Sequence, residues 1–151
     1  MADLVTTVTD SVTLNGSLRG STNTVTTTGI IDVFERIVTC VNSQTTTIAT
    51  FGASPFTSAG AIDVDRAKFI RVTNLDAAAW IEVAVVTTNT NYQVLLTPGN
   101  SHIIAQAEAV ALGEADTSPS FGTMENITSI QVQPVGVSFD PQVEIFVAVS
   151  E

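Results

Sequence analysis

A chain of 151 residues that is 44% hydrophobic and only 13% charged has the composition of a single folded domain with a real core, not of a disordered segment. Fifteen acids against five bases give a net charge of −10, which argues against nucleic acid or an anionic membrane surface as partner. Cys40 is the only cysteine, which excludes an intramolecular disulfide and a thiolate metal cluster. The opening MADLVTTVTD lacks a basic region and an apolar region, so synthesis in a cytoplasm without a general secretory signal is expected.

In chain order, TVTDSVTL (7–14) alternates apolar and polar residues and runs into Asn15-Gly16, a hairpin dipeptide. STNTVTTTG (21–29) reads as a polar strand or extended loop. Residues 1–29 form an N-terminal β segment, which is either an ordinary first hairpin or an extended arm lying along a neighbour. IIDVFERIVTCV (30–41) is rich in β-branched residues. Helical spacing of Ile31, Phe34, Ile37 and Val38 competes there, but no cap frames a helix, so a strand is expected.

TTTIATF (45–51) is the next strand, followed by the small-residue loop GASPFTSAGA (52–61). KFIRVTN (68–74) and AWIEVAVV (79–86) are strands joined by LDAA. NYQVLLT (91–97) ends in a Pro-Gly turn. SHIIAQAEAVAL (101–112) starts as a strand with an alanine-rich second half that favours winding up. After a long loop over 113–126, TSIQVQP (128–134) and QVEIFVAVS (142–150) close the domain. Short strands at a spacing of about ten residues, punctuated by Gly, Pro, Asn and Asp, predict an all-β, antiparallel, jelly-roll-like fold of about eight strands in the whole chain, with the β-sandwich domain over 30–151.

Candidate chemistry is sparse. His102 is the only histidine and has no nucleophile motif beside it. Asp63 and Asp65 share a face if IDVDR is a strand, yet the remaining ligands of a calcium loop are missing, and Arg66 and Lys68 stand close enough to balance them. Glu114 and Asp116 sit in the long loop. Trp80 and Tyr92 are the candidate sugar-stacking aromatics, though strand positions favour packing in or beside the core. Cys40 reads as a small buried hydrophobe. No catalytic residue, cofactor or metal site is assigned on these grounds.

FIRVTNLDAAAWIEVAVV, YQVLLTPGNSHII and the closing VEIFVAVS together resemble the small all-β virion structural proteins of tailed bacteriophages. The resemblance covers residues 68–150, and more loosely VTLNGSLRGSTNTV. It implies a decoration or cement protein on the capsid exterior, made in the host cytoplasm, that binds the major capsid protein and self-associates as a trimer or dimer. The expected partner interface is Leu4, Val5 and Val8 from the first segment, with Arg66, Lys68 and Arg71 facing acidic capsid patches. Internal charge balance is the competing account of those three bases. A tail, fibre or connector component of the virion is the alternative from the same particle, and a carbohydrate-binding sandwich is the alternative from another class.

Overall fold

The computed structural model describes residues 1–53, 60–113 and 121–151. Ten strands follow one another: β1 (Ala2–Leu14), β2 (Ser17–Thr39), β3 (Thr46–Gly52), β4 (Ile62–Asp63), β5 (Ala67–Asn74), β6 (Trp80–Val86), β7 (Asn91–Leu96), β8 (Ser101–Ile104), β9 (Ser129–Val135) and β10 (Gln142–Ser150). They form two five-stranded sheets, ordered β1-β2-β10-β5-β8 and β4-β3-β9-β6-β7. All named pairings are antiparallel except β3 with the two-residue β4, which is parallel.

Setting aside β1 and β4, the sheets read β2-β10-β5-β8 and β3-β9-β6-β7. Strand pairs of this kind, wound alternately into two facing sheets, make a jelly roll. The described residues thus hold ten strands where about eight were expected: eight make the body, and β1 and β4 are additions to it. The stretch 31–38, where helical spacing competed, lies wholly within β2. Its β-branched residues and its pairing with β10 over Ile30 to Thr39 decide the outcome in favour of sheet. The alanine-rich part of 101–112 does not wind up: β8 stops at Ile104, and an isolated bridge joins Ala111 to Glu125.

Period-2 alternation builds the core. In β6, Ile81, Val83 and Val85 point inward and Trp80, Glu82 and Ala84 point outward. They meet Ile70 and Val72 of β5 and Val143, Ile145 and Val147 of β10 across the sandwich, and all eight are fully buried. Cys40 lies in this cluster as a buried free thiol. A smaller apolar cluster on the outer face of the other sheet joins Ile30, Phe69 and Ala148, with Leu4 and Phe146 packed against it.

The β1–β2 hairpin behaves differently from the body. From Ser17 to Gly29, β2 pairs only with β1, and every residue from Thr7 to Thr26 is exposed. Asn15 and Gly16 both take positive φ (51° and 79°), the turn that an Asn-Gly dipeptide favours in a two-residue hairpin. The segment is therefore a hairpin, and its outer part projects as an arm, a two-stranded ribbon exposed from Thr7 to Thr26. Leu4 is its apolar tether to the body.

Candidate interaction surface

The arm has two chemically distinct faces, set by its register. Val5, Thr7, Thr9, Ser11 and Thr13 lie opposite Thr26, Thr24, Thr22, Gly20 and Leu18. On this face, hydroxyl pairs link Thr7 to Thr24 at 3.1 Å and Thr9 to Thr22 at 3.2 Å. The opposite face carries Leu4, Val8, Val12 and Leu14 from β1 and Val25 from β2. Val8, Val12, Leu14 and Val25 are each about half exposed, so the ribbon presents an apolar stripe to its surroundings.

Both edges of the ribbon are open as well. Among the described residues no strand pairs with the outer edge of β1, and β2 has no second partner until Ile30. Edge strands of this length are usually blunted by lysine, proline or a bulge. Here residues 1–29 contain no lysine and no proline, their only charges are Asp3, Asp10 and Arg19, and the register shifts only at the base, between Ala2 and Leu4.

The six residues expected at an interface separate into two groups. Val5 and Val8 are exposed, on opposite faces of the arm, while Leu4 is turned against the body. The bases are each engaged within the chain. Arg66 pairs with Asp63 at 3.4 Å, and the Lys68 ammonium donates to the Asp65 carbonyl at 2.6 Å. Arg71 pairs with Glu144 and lies over the Phe146 ring at 5.5 Å. Carboxylates within the chain thus balance Arg66 and Arg71, while Lys68 bonds a neutral backbone carbonyl.

Asp63 and Asp65 do not share a strand face, because β4 ends at Asp63 and the chain turns, with the Asp65 amide donating to the Asp63 carboxylate at 3.1 Å. Among the described residues no group of three His, Cys, Asp or Glu side chains is arranged to hold a metal. Glu114 and Asp116 lie outside the described residues. His102 meets the Tyr92 hydroxyl at 3.3 Å, ring edge to face, where burial lowers the imidazole pKa and raises that of the phenol. This half-buried pair bridges the neighbouring edges of β7 and β8. Burial pushes the Cys40 thiol up to about 11, so it stays protonated and unreactive near neutrality.

Trp80 departs from the expectation of core packing. It is 48% exposed on the outer face of β6, opposite Val135 of β9. The alternation that sends Ile81, Val83 and Val85 inward leaves Trp80 no other side, and that signal was present in the sequence. Beyond it on the same face come Glu82, Gln133, Gln131 and Gln93 around a shallow depression over Ala84. The sequence reading also missed Val12, Leu14 and Val25, which the arm's register joins to Val8.

None of the protein-family models, curated proteins or solved structures compared with this chain matches it.

Proposed function

We propose that this chain is a structural protein of a bacteriophage virion, a decoration or cement protein that docks on the outer surface of the capsid lattice through its β1–β2 arm. The arm carries this reading. Eight of the ribbon's twelve paired positions, from Thr7 opposite Thr24 to Leu14 opposite Ser17, are exposed and bury nothing against the sandwich. Two-stranded ribbons are marginal by themselves, so such a ribbon gains most of its order from a neighbouring surface. Strand edges and an apolar stripe suit β-augmentation and groove docking, and small contacts repeated over a lattice sum to firm attachment. The acidic body keeps the protein soluble at high local concentration.

Quantitative mass spectrometry of purified particles tests this. A copy number near that of the major capsid protein, or a simple fraction of it, is expected; a handful of copies per particle would place the chain at a tail or portal vertex. Finding none would remove the virion reading. Val12→Asp on the apolar stripe is expected to weaken co-sedimentation with capsid shells while the body folds normally.

One observation favours a second reading. Trp80 stands exposed beside a row of amide side chains on the outer sheet face, an arrangement suited to stacking on a sugar ring. Glycan-induced change in Trp80 fluorescence, lost in Trp80→Ala, would support carbohydrate binding; no response to a glycan panel would count against it.

A further inference from the structure

We propose that the outer edge of β1 is a self-association surface whose occupant is β1 of a second copy of this chain, paired antiparallel about Val8. The inference concerns the free protein and stands whether or not the virion reading holds.

Register selects the pairing. An isologous pair must be self-complementary, so residue i of one strand meets residue n−i of the other. Odd values of n set the apolar stripe of one copy beside the threonine face of its partner, because side chains alternate with a period of two. Among even values, n = 16 pairs Val8 with Val8, Leu4 with Val12 and Ala2 with Leu14. It is the one register that pairs all thirteen residues of β1. It also sets Asp10 opposite Thr6 and Asp3 opposite Thr13, so no carboxylates oppose each other. A slip of two residues either way sets Asp10 against Leu4 or Val8. The apolar spacing of β1 is thus close to palindromic about its own midpoint.

Charge distribution agrees. Residues 1–29 hold Asp3, Asp10 and Arg19, a net −1 of the chain's −10, which leaves −9 on the body. Antiparallel pairing places the two bodies at opposite ends of the ribbon, about 40 Å apart for thirteen residues. That is several Debye lengths at physiological salt, so body repulsion does not oppose the joint. The product is a four-stranded ribbon with the stripes of both copies on one face. Such a ribbon exceeds the three strands that independent stability needs.

Sedimentation equilibrium and a cysteine pair of variants test this on the full chain. Wild type at about 50 μM is expected to be a dimer. Val8→Lys sets two ammonium groups face to face across the two-fold and is expected to weaken dimerisation on the order of tenfold or more. Its body should melt as wild type does. Under mild oxidation Val8→Cys should cross-link to a dimer, since directly opposed positions lie within disulfide reach. Thr7→Cys should not: its own counterpart is diagonal, about 7–8 Å away. Cys40 is buried and contributes no competing thiol. A wild type that stays monomeric at about 50 μM, or that is trimeric, overturns the proposal. So does a Val8→Lys dimer of undiminished strength, or equal cross-linking at positions 7 and 8.

Discussion

At the scale of single residues, Asn74 shows how a buried polar group organises the turn that the sequence made conspicuous as TNLD. Asn74 is fully buried, and its amide nitrogen donates to the Ala79 carbonyl at 2.8 Å and to the Leu96 carbonyl at 3.2 Å. Its side-chain oxygen accepts from the Asp76 amide at 3.0 Å. One side chain therefore ties the end of β5 to the start of β6 and the end of β7. Asp76 then accepts from the Ala78 and Ala79 amides, both at 2.8 Å, and closes the turn. Replacing Asn74 with Leu leaves those buried groups without partners, at a cost of roughly 2–4 kcal/mol. Urea denaturation of Asn74→Leu should show an unfolding free energy lower by that amount; an unchanged value would mean that water replaces the amide. The turn itself was legible from its residue types. The role of Asn74 was not, because Leu96 lies 22 residues away and only folding brings its carbonyl there. Arg71 repeats the lesson, since its partner Glu144 is 73 residues distant. Trp80 is the reverse case: strand parity placed it outward, and the preference of tryptophan for cores was the weaker guide.

Among the elements, the arm is held in register by a glycine with no substitute. Gly20 has φ of +143°, and a Cβ there would stand 1.8 Å from the Asp10 carbonyl oxygen. Neither the backbone conformation nor the space admits an L side chain. Gly20→Val is expected to speed amide exchange across residues 7–26 and to open the arm to proteases. The melting temperature of the body should hold to within about 2 °C. A body that melts with the arm would show that the two form one cooperative unit and that the tether at Leu4 transmits order. The strands of the body were legible because each shows alternation against a buried face. The Asn15-Gly16 turn was legible because its dipeptide fits only a tight turn of positive φ. That the ribbon stands free was not, since a strand with one solvated face and a strand with two give nearly the same threonine-rich pattern. The difference lies in whether another sheet arrives to cover it, and that is a tertiary fact.

For the molecule as a whole, the response to acid follows from where its carboxylates find hydrogen bonds. The Glu125 carboxylate accepts from the Thr87 hydroxyl, the Asn89 side-chain amide and, at 3.0 Å, the Asn89 backbone amide. These bonds hold its pKa below the ordinary 4.5. Asp76 is held below 3.8 by the amides of Ala79 and Ala78. Each group binds protons more weakly folded than unfolded, so each stabilises the fold fully above its unfolded value. That contribution is lost as the pH falls through the folded value. Burial of His102 acts with the same sign below 6.5, because the folded state resists the imidazolium. Glu125 clasps the β6–β7 turn to the segment entering β9, and Asp76 closes the β5–β6 turn, so acid loosens both ends of the sandwich. The melting temperature of Glu125→Gln should lie below that of wild type at pH 7, with the gap closing as pH falls below 4.5. For Asp76→Asn the gap should close as pH falls below 3.8. Gaps that stay constant from neutrality to pH 3 (about one unit below the values of free carboxylates) would show that these side chains act through shape alone and not through their charge.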